Sequence, residues 1–372
     1  MMHAEVVRVA GLKLSETSLD IQWSDSSSMR VLWLWLRDHA HDAASMHPVT
    51  QQRELFTAAI PSGLLGNRAY VERDDLVIEW NDNSAPSRLP LVFLARFRSA
   101  TIPGLVGGAS VEIWNRNAIS GRTPTISFER VMPGGTGRAE WIELIARFGF
   151  AIVSGTPATL DDSEALLRRL GYVRETIFGG MWEFTADLAK ADTAYTNGRL
   201  RPHTDGSYSH DAPGAQMLHC LEFNGTGGAS TLVDGFAVAQ RLRDIAPQHY
   251  QTLSSVEVPG QYIGDGSHLM AARPAFRHDA HGTLQQVTFN NYDRAPFLLP
   301  EDEMRAYYEA HRAFDLLVND SEFQWRHQLV PGEALVFSNW RMLHGRDAYT
   351  GVRRMCGGYV NREDLESLTR VS

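Results

Sequence analysis

Only two cysteines, Cys220 and Cys356, occur in 372 residues. Neither a disulfide framework nor a thiolate zinc site has the ligands it needs, and a reducing compartment is the expected setting. No Lys/Arg-rich run offsets the formal net charge of -9, so a phosphate backbone would meet no basic footprint and a nucleic-acid partner is not expected. No apolar stretch approaches the roughly 18 residues that cross a bilayer. The opening Met1-Met2-His3-Ala4-Glu5 has neither the basic-then-apolar order of a secretory signal nor the Arg/Ser-rich character of a transit peptide. The expectation is a cytoplasmic protein without a membrane partner. Repeats and low-complexity tracts are also missing, and 43% hydrophobic with 21% charged residues is the make-up of an ordinary folded chain rather than a disordered one.

What is present exceeds one typical domain in length. Residues 1–100 read as a small β-rich domain, from the alternation of Leu19, Ile21 and Trp23 and the runs Val31 to Leu36 and Leu76 to Trp80, separated by Asp/Ser/Asn clusters. Residues 101–138, with their Gly, Pro and Asn, read as a linker packed against something larger. Residues 139–372 read as the catalytic domain. Trp141, Leu144, Ile145 and Phe148 have helical spacing and lead into a buried-strand pattern ending at Val153. Further strands are expected at Ala215 to Glu222, Ser230 to Val233, Thr288 to Asn290, Ala334 to Ser338 and Met355 to Val360. Helices are expected at Ser163 to Leu170, Phe236 to Ile245 and Glu301 to Val318, the last opened by Pro300 and acidic residues. Short strands without βαβ alternation predict a mainly β fold with helices (α+β), an antiparallel barrel or jelly roll.

The segment Arg201-Pro202-His203-Thr204-Asp205-Gly206 places an imidazole and a carboxylate two positions apart at the end of a strand. Positions i and i+2 of a strand face one side, so both can point at one ion. His344, after the strand Ala334 to Ser338, can supply a third ligand. Two histidines and one carboxylate on one face of an ion leave three positions open, the set used by Fe(II) oxygenases. A bidentate 2-oxo acid and O2 would fill them. Among 14 histidines and 44 acidic residues a His-x-Asp triplet discriminates poorly on its own, and a surface turn is its plain alternative. Arg353, nine residues past His344, could pair bidentately with the far carboxylate of such an acid. Arg354 competes for that role, since strand alternation turns only one of the two inward.

Several blocks resemble the trimethyllysine and γ-butyrobetaine hydroxylase family of Fe(II)/2-oxoglutarate dioxygenases, which includes bacterial 2-(trimethylammonio)ethylphosphonate dioxygenases. They are Gly227-Gly228-Ala229-Ser230, Val233-Asp234-Gly235, Phe289-Asn290-Asn291-Tyr292-Asp293-Arg294, Asn339-Trp340-Arg341-Met342-Leu343-His344-Gly345-Arg346 and Tyr359. The resemblance implies a double-stranded β-helix catalytic core and the cofactor set Fe(II), 2-oxoglutarate and O2. It places the iron ligands at His203, Asp205 and His344, and the co-substrate residues at Arg353, Ser230 and Leu218.

A quaternary ammonium donates no conventional hydrogen bond and is held by ring faces. The resemblance puts such a cage at Phe178, Trp182, Tyr195 and Tyr359, with Asp192, Tyr208, Asn290, Asn291 and Arg294 as further substrate residues. Read without it, aromatics near a barrel mouth are core. Asp192 favours a substrate amine over a carboxylate, which leans toward a trimethyllysine-like substrate. Arg199, Arg201 and Arg294 would suit a phosphonate, and γ-butyrobetaine is the alternative. The structural zinc of many family members is not expected, because its cysteine positions hold Ala40, Asp42 and Ser45. The resemblance also makes the N-terminal domain a candidate homodimer contact. Two readings of another class are a non-catalytic quaternary-amine sensor and a zinc hydrolase using the same triad.

Overall fold

The computed structural model describes residues 8–98, 111–184, 196–264 and 266–371. The chain divides into two compact units, residues 1–107 and 108–372. In the first, two antiparallel three-stranded sheets, Val9–Leu14 with Ser18–Trp23 and Ser28–Leu32, and Gly66–Glu72 with Asp75–Trp80 and Ser87–Pro90, share a core of Trp23, Trp33, Leu36, Leu76, Ile78 and Trp80. The loop after the helix Trp33–Asp38 is tied by polar side chains. Arg37 donates to Ser45 Oγ at 2.6 Å, Ser45 donates to Asp42 at 2.8 Å, and Arg53 joins Asp38 at 2.5 Å.

The second unit is built on two sheets. The larger, of seven strands, runs Met181–Phe184, Tyr349–Val360, Ala215–Gly227, Ala334–Ser338, Phe150–Ser154 and Thr125–Ser127, with Val173–Arg174 beside Tyr349–Val360. The smaller, of four, runs Leu200–His203, Met342–Arg346, Ser230–Asp234 and Gln324–His327. Side chains of both sheets, among them Cys220, Leu335 and Met355 from one and Leu232, Trp325 and Met342 from the other, form one buried cluster, the packing of a jelly roll. All pairings are antiparallel except that of Thr125–Ser127 with Phe150–Ser154. Residues 111–138, expected as part of a linker, thus contribute an edge strand to this unit, and Trp114 Nε1 donates to the Phe148 carbonyl at 2.7 Å.

The helix Glu301–Val318 and the strand Ala334–Ser338 have the expected bounds. The expected strand at 288–290 lies earlier, at Leu284–Val287. Thr204 draws 288–290 off the ladder: its amide donates to the Phe289 carbonyl at 2.9 Å and its hydroxyl accepts from the Phe289 amide at 3.0 Å. The long helix and its two neighbours, Gly235–Ile245 and Pro247–Ser255, cover a second core around Phe276, Tyr307 and Phe314.

Candidate metal centre and active site

His203 ends its strand directly opposite His344 on the neighbouring one, and their rings lie 4.4 Å apart. His203 Nδ1 donates to the Arg201 carbonyl at 2.8 Å, which fixes the tautomer and leaves Nε2 as a lone pair. That Nε2 stands 3.3 Å from Asp205 Oδ1, and His344 Nε2 stands 3.7 Å from the same oxygen. Ligands on one octahedral face with bonds of about 2.1 Å are about 3 Å apart, so small rotations let all three meet one ion. Among the described residues this is the His/Cys/Asp/Glu group whose donor atoms converge.

Asp205 is fixed from two sides. Asn339 accepts from its amide at 2.8 Å and donates to its carbonyl at 2.9 Å, while Tyr359 donates to Oδ2 at 2.7 Å. Burial alone would raise its pKa, but the two imidazoles and the Tyr359 hydroxyl hold it well below the usual carboxylate range. Burial brings His344 down to about 4, so its ring is neutral, the form that ligates a metal.

These groups open into a cavity. Arg353, Arg346, Ser230 and Leu218 are among the residues that line it. Arg353 is buried, and burial followed by the charge of Arg346 brings it down to about 10. No side-chain carboxylate pairs with it among the described residues. Arg354 points the other way, toward Glu183 at 3.5 Å, so of the two competing arginines it is Arg353 that faces the cavity. Arg346 Nη2 donates to the Thr196 and Gly198 carbonyls at 2.7 and 2.9 Å.

Aromatic rings form one wall. Phe178 meets Tyr262 at 5.7 Å, Tyr262 meets Tyr208 at 5.5 Å, and Trp182 meets Tyr359 at 5.6 Å. Asn290 also lines this cavity, whereas Arg294 lines a second one and Asn291 is exposed. The cause is local: Asn290 Oδ1 accepts the amides of Tyr292 and Asp293 at 2.8 and 3.2 Å, a turn that directs Asn291 outward. Arg201 is taken up by Asp315 at 2.8 Å, and Arg199 is exposed. Asp192 and Tyr195 lie outside the described residues. Sequence reasoning gave no role to Asn339, Arg346 or Tyr262. The first two sat inside a quoted block without a stated job, and the alternation of Val258, Gly260 and Tyr262 was the available signal for the third.

A jelly roll carrying two histidines on paired strands and an aspartate just past one of them, with a buried arginine in the same cavity, defines an oxygenase-type iron site. The family model of the taurine catabolism dioxygenase TauD, TfdA family matches residues 117–359. The trimethyllysine dioxygenase of Meyerozyma guilliermondii is 33% identical over 95% of this chain and 94% of that protein, and the mitochondrial one of Rattus norvegicus is 33% identical over 96% and 86%. The gamma-butyrobetaine dioxygenase of Pseudomonas sp. strain AK-1 is 29% identical over 94% and 92%. A putative alpha-ketoglutarate-dependent taurine dioxygenase from Burkholderia xenovorans shares the fold, with a TM-score of 0.50 at 12% identity over 68% of this chain and 91% of that one. The chain belongs to the TauD/TfdA dioxygenase family, and within it to the branch of the trimethyllysine and gamma-butyrobetaine dioxygenases. It is an iron- and 2-oxoglutarate-dependent dioxygenase. Among the described residues no helix is long and apolar enough to cross a membrane.

Proposed function

We propose that this enzyme hydroxylates an unactivated C–H of a small trimethylammonium compound, with trimethyllysine as the leading candidate. The observation that carries the reading is a single cavity in which the His203, Asp205 and His344 donors face a wall of aromatic rings. A desolvated ring face attracts a quaternary ammonium by about 2 kcal/mol. Phe178, Trp182, Tyr208, Tyr262 and Tyr359 are the rings available for it.

In this reading His203 Nε2, Asp205 Oδ1 and His344 Nε2 hold iron(II). Arg353 anchors the far carboxylate of 2-oxoglutarate, helped by Ser230 and Leu218, and the charge of Arg346 beside it adds to the attraction. Iron with 2-oxoglutarate couples O2 reduction to decarboxylation of the 2-oxo acid, yielding succinate, CO2 and a hydroxylated substrate. The chain supplies geometry. Asn339 holds the Asp205 backbone and Tyr359 its carboxylate, the Arg201 carbonyl holds the His203 ring, and the aromatic wall excludes water and aims one carbon at the metal face. A phosphonate substrate gains no support from the arginines first considered for it, since Arg199, Arg201 and Arg294 do not line this cavity.

The test is succinate formation with trimethyllysine, γ-butyrobetaine and 2-(trimethylammonio)ethylphosphonate. Trimethyllysine should give the highest kcat/KM, and His344→Ala should abolish the substrate-dependent signal. The reading is lost if no trimethylammonium compound raises succinate above background, or if His344→Ala retains turnover.

A further inference from the structure

Beyond Asn290 lies a second, much smaller cavity, which shares only that residue with the catalytic one among the described residues. Arg273 lines it from the strand Ser267–Pro274, where Ala271 and Arg273 are buried and Met270 and Ala272 are exposed. Arg273 is 7% exposed, and its Nη2 has no hydrogen-bond partner among the described residues. A guanidinium stays charged at physiological pH, so a buried N–H left without an acceptor is unfavourable. Its surroundings do not offset the charge. Arg277 adds a like charge, and the carboxylate that acts on Arg273, Asp211, is 55% exposed and engaged by Arg174 at 3.3 Å.

The remaining polar groups of the cavity are cationic or neutral. Arg294 donates to the Tyr307 hydroxyl at 3.3 Å, and that hydroxyl meets His311 Nδ1 at 3.2 Å. Burial and the charge of Arg294 hold His311 neutral at physiological pH. No Asp or Glu side chain lines the cavity among the described residues, and Leu253, Val258 and Phe289 close its sides. A net positive, partly apolar chamber with an unused guanidinium N–H is suited to an anion. Water could accept one hydrogen bond there but would leave the charge uncompensated.

We propose that this second cavity binds one small oxyanion, a carboxylate or phosphate, between Arg273 and Arg294. The site has a structural route to the catalytic pocket. Gly260 bridges to Arg294, the Gln261 amide donates to the Asp293 carbonyl at 2.8 Å, and the Ala295 amide donates to Pro259 at 2.9 Å. The segment 290–295 is thereby stitched to the strand Glu257–Gly264, whose Tyr262 belongs to the aromatic wall. Gly260 is the crossing point, because a Cβ there would stand 2.7 Å from the Ser207 backbone. An anion that draws in Arg273 and Arg294 braces this segment without entering the catalytic pocket.

The test is calorimetric titration of the full chain, in a buffer free of carboxylate and phosphate, with acetate in one arm and inorganic phosphate in the other. One saturable equivalent is expected with at least one probe, and the stronger arm identifies the oxyanion. Binding should persist in Arg353→Met and in wild-type protein saturated with 2-oxoglutarate and trimethyllysine. It should weaken tenfold or more in Arg273→Met. Absence of saturable binding with both probes overturns the proposal. So does unchanged binding in Arg273→Met, or one-for-one displacement by 2-oxoglutarate or trimethyllysine, which would place the anion in the catalytic pocket. Should Arg273→Met fail to fold, the wild-type competition decides alone. None of these measurements needs turnover, so they stand apart from the test of the hydroxylase reading.

Discussion

The Tyr359 hydroxyl donates to Asp205 Oδ2 at 2.7 Å while the Tyr359 ring lies 5.6 Å from Trp182. One side chain therefore holds the oxygen that faces away from the histidines and also contributes to the aromatic wall. Tyr359→Phe separates the two jobs, since the ring stays and the donor goes. Iron affinity should fall by about tenfold to a hundredfold, with a smaller change in the KM of the trimethylammonium substrate. Anaerobic Fe(II) titration measures the first and initial rates the second. Unchanged iron affinity would show that Asn339 alone holds Asp205.

Arg341 and Asp234 form a buried two-point pair, Nε to Oδ1 at 3.0 Å and Nη2 to Oδ2 at 2.6 Å, with side-chain exposures of 4% and 0%. Arg341 also donates to the Arg147 and Glu112 carbonyls at 2.9 and 2.7 Å. Removing one partner leaves the other charge buried and unpaired, at a cost of about 3–5 kcal/mol. Arg341→Met should lower the thermal midpoint by roughly 10 °C in a melting scan. A midpoint within a degree or two of wild type would contradict this role.

That pair also marks how far the sequence was legible. Asp234 and Arg341 both sit in motif blocks, Arg341 in the one that holds His344, and pattern alone does not separate a residue that holds the barrel together from one that meets the metal. The iron triad was readable from the His-x-Asp spacing, although the strand ends at His203 and Asp205 sits in the bend after it, held by Asn339 rather than by strand alternation; the choice between Arg353 and Arg354 does follow from alternation once the strand's register is known. Arg294 was assigned to the substrate by proximity in sequence, yet the turn made by Asn290 separates it from that cavity. Tyr262 and Asn339 depend on register between distant segments, which no local period encodes. The edge strand Thr125–Ser127 was hidden for a similar reason, since its three residues pair in parallel with a strand more than twenty residues on.

His219 is fully buried, with Nδ1 2.7 Å from Ser163 Oγ, and burial lowers it from 6.5 to about 4. The folded chain keeps this ring neutral, whereas the unfolded chain takes up a proton near 6.5. Its contribution to stability is therefore complete above that pH and is lost as pH falls toward 4, to an extent of about 3 kcal/mol. Urea midpoints should decline over this window. In His219→Gln the decline should be shallower by about one proton's worth of slope. An equal decline in wild type and variant would remove His219 from the account.

Gly357 pairs with Trp182 across neighbouring strands, and a Cβ at that position would overlap the Trp182 ring. The ring can lie flat over the strand Tyr349–Val360 only because residue 357 has no side chain, and in that pose it faces Tyr359. Gly357→Ala should push the indole out of place without removing any polar group. If the rings hold a trimethylammonium group, losing one well-placed face costs about 1–2 kcal/mol, so KM for that substrate should rise about tenfold. The KM for 2-oxoglutarate should change little, because Arg353 lies four residues before Gly357 along the strand, opposite Phe223. A rise in both constants together would instead indicate damage to the sheet, since the same Cβ also approaches the Met217 carbonyl. An unchanged substrate KM in a protein with normal 2-oxoglutarate binding would take Trp182 out of the cage.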